Sequence, residues 1–146
     1  MDLKEYQEAK NIAFKYVVYK RRTVNEVREK LKKLEIADDI IDKVIEELIC
    51  FEYLDDAVYV EKFVAKSKKD SVNVLRMKLL NKGIDKEIID DYFNNNTFDE
   101  VEKIVPLLQK KKFSNELDTD QKDKIKAYCA RKGFKISDIE KATKML

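Results

Sequence analysis

The feature that most constrains this fold is an internal repeat. The segment TVNEVREKL at residues 23–31 is followed 48 residues later by SVNVLRMKL at residues 71–79, with five of nine positions identical. The match continues past this segment, because LKKLEIADDII from Leu31 aligns with LLNKGIDKEII from Leu79. A period of this length is typical of helical repeat proteins, whose units are too small to bury a core alone and stack on their neighbours.

Both copies begin with a helix start signal. Thr23 and Glu26 predict a capping box, in which each side chain satisfies a backbone amide of the first helical turn. Ser71 replaces the threonine in the second copy, and Val74 replaces the glutamate, so half of the box is expected there. Gly83 stands where a residue in the left-handed conformation would end the second helix.

Further start signals complete the pattern. Asp55 is expected to cap a helix that lies upstream of the second copy. A weaker third copy occupies the remainder, since ARKGF at 130–134 is similar to LNKGI at 80–84. In this copy Ser137 and Glu140 predict another capping box.

Each copy therefore contains three helices, and the chain contains three copies. The predicted fold is all-α, an elongated and curved array of three tandem three-helix repeats. The expected boundaries are 1–54 for the first repeat, 55–97 for the second and 98–146 for the diverged third. Only two Gly and one Pro among 146 residues, with 41% charged residues, favour helices over tight turns and hairpins.

Composition also excludes several functional classes. The chain has no His, and Cys50 and Cys129 are its only thiols, so neither a metal site nor a cofactor is expected. The adjacent carboxylates Asp55 and Asp56 are better explained by capping than by catalysis, so no enzymatic activity is expected. The chain contains no apolar run of membrane-spanning length, which predicts a soluble, cytoplasmic protein; a monomer is expected.

Charge is segregated along the chain although the net charge is only +2. Successive segments alternate in sign, with net charges of +6, −8, +5, −6 and +5 over 15–33, 35–56, 66–82, 85–102 and 122–135. If equivalent helices stack on one side, their basic residues form a face that suits an extended, charged and repetitive partner. The alternative is that adjacent basic and acidic helices neutralise each other and keep the protein soluble.

The basic segments supply the candidate partner-binding residues. Arg28 and Arg76 occupy equivalent positions next to predicted core residues and are expected to face solvent, where a guanidinium can bind carboxylates or phosphates. The alternative for both is a pairing with a neighbouring acidic helix. The full candidate set also includes a cluster of three adjacent cations and three lysines of the basic helices: Lys20, Arg21, Arg22, Arg28, Lys32, Arg76, Lys78 and Lys82.

Three segments resemble the RecX family. Residues 22–31 resemble its R-S-x-x-E-L-R-x-K-L element, FEYLDDAVYVEKFV at 51–64 resembles its G-Y-L-D-D-x-x-Y-A-x-x-F-V segment, and LRMKLLNKGI at 75–84 is similar to its R-x-E-L-x-x-K-G-I segment. The three segments stand in the family order with the family spacing. The chain departs from the pattern at Glu52 and Ser71, where the family has glycine.

This resemblance implies a regulator of the RecA recombinase. RecX proteins bind in the helical groove of the RecA–DNA filament, where they suppress ATPase, strand-exchange and co-protease activity and hinder filament growth. The partner implied is therefore the RecA filament, with single- or double-stranded DNA as a further possible contact. Two alternatives stay open: a sequence-independent nucleic-acid-binding repeat protein, and a helical scaffold for another protein.

Overall fold

The computed structural model describes residues 1–146 and contains nine α-helices and no strand. The helices are α1 (Leu3–Tyr19), α2 (Val24–Lys33), α3 (Asp38–Cys50), α4 (Asp56–Lys66), α5 (Val72–Asn81), α6 (Lys86–Asn94), α7 (Glu100–Lys110), α8 (Thr119–Arg131) and α9 (Ile136–Thr143). They fall into three consecutive triplets, which confirms the all-α fold of three tandem three-helix repeats. None of these helices combines the length and the apolar character needed to cross a membrane.

The chain packs as two compact units. The first unit consists of Met1–Phe63 and Leu79–Phe93, and the second of Val64–Lys78 and Asn94–Leu146. The first triplet lies wholly in the first unit and the third triplet wholly in the second, while the middle triplet contributes to both. Because these units group residues by contact and not by sequence repeat, the repeat boundaries at 54 and 97 stay a prediction.

Each unit has its own buried apolar core. In the first unit the core consists of one face of each helix of the first triplet together with Leu54: Ala9, Ala13, Val17, Val27, Leu31, Ile40, Ile41, Val44, Ile45, Leu48 and Leu54. In the second unit it is formed by the third triplet and its connections: Ile104, Leu108, Phe113, Cys129, Phe134, Ile139 and Ala142. Within each helix these residues recur at helical spacing, which places them on one face.

A left-handed residue ends the middle helix of every triplet. Gly83 has φ of +82°, its N–H donates to Leu80 O at 2.9 Å, and the next N–H, of Ile84, donates to Leu79 O at 3.3 Å. These are the two bonds of a Schellman motif, which satisfies the last carbonyls of the helix. Glu35 and Gly133 hold the equivalent positions of the first and third triplets, and Glu52 and Lys112 end α3 and α7 in the same conformation. The residue that replaces the RecX glycine, Glu52, thus retains the backbone conformation that favours glycine.

The predicted capping box at Ser137 is wrong. Helix α9 begins at Ile136, its N-cap is Lys135, and no side chain bonds to the cap. The start of α9 is set by the turn before it, in which left-handed Gly133 and buried Phe134 are followed directly by the extended N-cap. Ser137 therefore falls inside the first turn and not at the cap.

Candidate partner-binding site

The start of α2 contains the predicted capping box and a third bond that the sequence did not predict. Thr23 Oγ1 accepts from Glu26 N–H at 3.0 Å, and Glu26 Oε1 accepts from Thr23 N–H at 3.1 Å. The same threonine hydroxyl donates to the Lys82 carbonyl, 59 residues later, at 3.1 Å. Thr23 is fully buried, and this hydroxyl both accepts and donates a hydrogen bond.

A carboxylate of the middle triplet completes the same helix start. Val24 N–H donates to Asp56 Oδ1 at 2.9 Å, so a helix-terminal amide without a partner in its own helix is satisfied by the next triplet. Burial raises the pKa of Asp56, and nearby Asp85, Asp55 and Glu26 raise it further, whereas the Val24 N–H opposes the shift. We define the first joint as Thr23, Val24, Asn25, Asp56, Lys82 and Gly83, all within the first unit.

The second unit contains a second joint of the same design. Ser71 Oγ accepts from Val74 N–H at 3.1 Å and donates to the Lys132 carbonyl at 3.1 Å. Val72 N–H donates to Glu100 Oε1 at 2.7 Å, as Val24 does to Asp56 in the first joint. We define the second joint as Ser71, Val72, Asn73, Glu100, Lys132 and Gly133.

The two joints explain why the chain repeats its helix start. The Thr-Val-Asn run of the first copy and the Ser-Val-Asn run of the second each cap a helix and bind the following triplet. Asn73 shows the second role directly, because its amide donates to Gly133 O at 3.0 Å. The identical asparagines were the available signal for the joints, since capping alone does not require an asparagine at that position.

A cavity of about 460 Å³ lies beside the first joint, and its lining includes three lysines and two glutamates. We define this cavity as the basic groove, with the lining residues Tyr16, Asn25, Glu26, Glu29, Lys30, Lys33, Asn81 and Lys82. The Lys30 Nζ lies 5.5 Å from the centroid of the Tyr16 ring, and the Lys82 Nζ lies 5.8 Å from that of Tyr59. Neither Lys30, Lys33 nor Lys82 forms an ion pair within the described chain, so their ammonium groups are available to an anion.

A larger cavity of about 670 Å³ on the first unit has the opposite charge. Its lining includes the carboxylates of Glu52, Asp55, Asp56 and Asp85 together with Arg28. These carboxylates do not gather into a cluster that could hold a metal ion. The Asp55 side chain is committed to capping, because its Oδ1 accepts from Val58 N–H at 3.2 Å.

Three of the predicted partner-binding cations are held by internal contacts. Arg28 Nη1 lies 2.8 Å from Asp42 Oδ1, and Lys78 Nζ lies 2.9 Å from Asp70 Oδ2. The Arg22 guanidinium stacks on the Tyr16 ring, with its central carbon 3.8 Å from the ring centroid, and its Nε donates to Tyr16 O. Of these contacts, only the Arg28–Asp42 pair joins a basic helix to an acidic helix, as the neutralisation alternative describes.

The remaining predicted cations differ in their surroundings. Lys20, Arg21 and Lys32 are exposed, and no ion pair holds them. Lys82 lines the basic groove, and Arg76 is half-buried. The structure thus brings one predicted residue, Lys82, together with two lysines that the prediction left out, Lys30 and Lys33.

Comparisons with known proteins place this chain in a family. The family model described as "RecX, first three-helix domain" matches residues 9–48. The crystal structure of RecX from Lactobacillus salivarius is similar with a TM-score of 0.88 and 31% sequence identity, over 98% of this chain and 97% of that chain. This chain belongs to the RecX family.

Curated RecX proteins match over nearly the whole of this chain. Regulatory protein RecX of Streptococcus pneumoniae is 32% identical over 143 residues, and that of Bacillus licheniformis is 33% identical over 139 residues. These matches cover 95% and 89% of this chain but 55% and 52% of the relatives. The chain spans about half the length of the curated relatives that it matches.

All three RecX-like segments meet at the first joint. The segment at 22–31 supplies Thr23, the segment at 51–64 supplies Asp56, and the segment at 75–84 supplies Lys82 and Gly83. The RecX motifs of this chain therefore include the residues that join one triplet to the next, and the basic groove lies beside them.

Proposed function

We propose that this RecX-family chain regulates the RecA recombinase by binding the RecA–DNA filament, and that it thereby suppresses RecA's ATPase, strand-exchange and co-protease activities. The relatives are named regulatory proteins, and regulation by binding needs no catalytic residue in this chain. A monomeric state, a cytoplasmic location and the absence of enzymatic activity stay predictions that accompany this proposal.

The observation that carries the proposal is the basic groove. Lys30 and Lys33 come from the first triplet and Lys82 from the second, so the charged surface depends on the joint between them. Because none of these three lysines forms an ion pair, each can attract carboxylates or phosphates of a partner and speed its approach. A filament presents such anions at regular spacing, which suits contact at several points.

The test is a titration of RecA's DNA-stimulated ATPase with the chain. The groove variant Lys30→Glu/Lys33→Glu/Lys82→Glu is compared with a control that has the same change in net charge at exposed lysines outside the groove, namely Lys4→Glu/Lys124→Glu/Lys144→Glu. We expect the parent to inhibit, and the groove variant to need about 10-fold more protein for half inhibition, because three attractions become repulsions. The control is expected to stay within about 3-fold of the parent.

Each other outcome contradicts part of the proposal. A parent that leaves the ATPase unchanged at several-fold excess over RecA refutes RecA regulation. Equal losses in the groove variant and the control show that net charge, and not the groove, determines binding. Binding to DNA without RecA, with a steep fall as salt rises and no effect on RecA kinetics, supports the nucleic-acid-binding alternative.

The arginine pair provides a second comparison. Reversing Arg28 and Arg76 to Glu is expected to weaken inhibition if these residues contact the filament. Because Arg28 pairs with Asp42, the reversal also breaks an internal ion pair, and Asp42→Ala is the matched control. If Asp42→Ala weakens inhibition as much as the double reversal does, the loss comes from the broken pair and not from a filament contact.

A further inference from the structure

The two glycines of the chain occupy equivalent positions. Gly83 and Gly133 each follow the middle helix of a triplet, with φ of +82° and +96°. The left-handed conformation alone does not explain them, because Glu35, Glu52 and Lys112 adopt φ of 60°, 64° and 60° with full side chains. A second constraint must therefore act at the two glycines.

That constraint is the close approach of the preceding triplet. A Cβ on Gly83 would collide with the Asn25 side chain, and a Cβ on Gly133 would lie 2.5 Å from Ser71 Oγ. In both cases the obstructing side chain belongs to the start of the preceding middle helix. At the equivalent position of the first triplet, where no triplet precedes in the described chain, Glu35 is exposed.

Hydrogen bonds hold the backbone at the same place. The carbonyl just before Gly83, that of Lys82, accepts from Thr23, and the carbonyl of Gly133 accepts from Asn73. A methyl group on Gly83 would lie 2.5 Å from Asn25 Cβ, so it cannot be accommodated without moving the start of α2 away from the Lys82 carbonyl. Because it has no side chain, Gly83 allows α2 to lie close to the turn that contains Lys82.

We infer that Gly83 is a positioning residue for partner binding: it sets the distance between Lys30 and Lys33 on α2 and Lys82 on the next triplet, and so determines the spacing of the groove's cations. This inference rests on the proposed function. Gly83 makes no contact with the partner; it acts through the lysines. Gly133 sets the second joint in the same way and has no part in the spacing of the groove.

The test combines a collision with its relief. Gly83→Ala adds the colliding methyl group, and Asn25→Gly/Gly83→Ala removes the obstructing side chain while it keeps the same left-handed alanine. We measure the distance between the first two triplets by pulsed EPR, with spin labels on exposed Cys50 and on a cysteine introduced at exposed Lys86; buried Cys129 stays unlabelled. Gly133→Ala is the matched control, because it adds the same methyl group at the other joint.

We expect Gly83→Ala to shift or broaden this distance and to raise the half-inhibitory concentration against RecA about 10-fold. The double variant should restore the parent's distance; because Asn25 also lines the basic groove, rescue is judged by this distance and not by inhibition. Gly133→Ala should leave the distance unchanged. A change in the distance that came only from the strain of a left-handed alanine would persist in the double variant. Recovery of the parent's distance therefore separates positioning from general destabilisation.

Two results overturn the inference. The first is a folded Gly83→Ala variant that keeps the parent's distance and inhibition. The second is a double variant whose distance stays different from that of the parent. If Gly83→Ala does not fold, Asn25→Gly alone replaces it. This variant removes the contact from the other side, and it should broaden the distance. If its distance matches the parent's, the inference is wrong.

The distance is measured without RecA, so the two proposals can fail separately. A parent that does not inhibit RecA refutes the proposed function, and the distance measurement then decides whether Gly83 positions the two triplets.

Discussion

Replacing Thr23 with valine tests whether the first joint contributes to stability. Valine has almost the same shape as threonine, so Thr23→Val leaves no cavity in this fully buried position. It removes the cap of Glu26 N–H, which costs about 1 kcal/mol. It also deprives the Lys82 carbonyl of its donor, which costs about another 1 kcal/mol in a buried environment. The expected loss in the free energy of unfolding is therefore about 2 kcal/mol.

The measurement is equilibrium unfolding in urea, followed by far-UV circular dichroism. With a slope of about 2 kcal/mol per molar urea, the midpoint should fall by about 1 M while the slope stays unchanged. The control comes from the chain itself: Thr23→Ser introduces the residue that occupies the equivalent position 71 and keeps the hydroxyl. A Thr23→Val variant within about 0.5 kcal/mol of the parent refutes the argument. So does a Thr23→Ser variant that is as destabilised as the valine variant.

Two further predictions concern titratable groups. Because the folded-state pKa of Asp56 is raised, its charged form destabilises the protein above that pKa, and this cost disappears below the unfolded pKa of about 3.9. Asp56→Asn should therefore raise the melting temperature at pH 7 and give a smaller gain at pH 3.5, while an equal gain at both pH values contradicts the assignment. In thiol titration, exposed Cys50 should react at once with an aromatic disulfide, and Cys129, which is fully buried and whose thiol pKa burial raises, only after denaturation. Immediate reaction of both thiols in the folded protein would refute the burial of Cys129.

The helices were predictable because their signals are local. Apolar residues recur at helical spacing, and the capping side chain of Thr23 lies three residues from the amide that it binds. The left-handed conformation of Gly83 follows from the same local chemistry. At Ser137 the local signal is misleading, because the serine–glutamate spacing of a capping box also occurs inside a first helical turn. There the preceding turn, with left-handed Gly133, fixes the start of α9 instead.

The joints were not predictable because they depend on contacts between distant residues. Nothing in the sequence near Thr23 identifies the Lys82 carbonyl as its acceptor, which lies 59 residues away. The repeated asparagines at 25 and 73 were visible in the sequence, but their environment was not. Helix capping already explains the threonine and the serine of the repeat, so the local sequence carries no signal of their second bond.

The two interpretations of the charge pattern apply to different faces of one helix. Successive residues of an α-helix are turned by about 100°, so Lys33 lies about 60° from Lys30, whereas Arg28 lies about 140° or more from both. Arg28 accordingly meets Asp42 of the acidic helix α3, while the two lysines open into the basic groove. Neutralisation between helices and an unpaired cationic surface can thus coexist on α2. A count of charges along the chain cannot separate them, since the difference depends on the angle around the helix and on which neighbour that angle faces. For the same reason, net charge is a poor guide to binding. The partner's contact is located by comparing variants that have the same net charge but carry their substitutions on different surfaces of the protein.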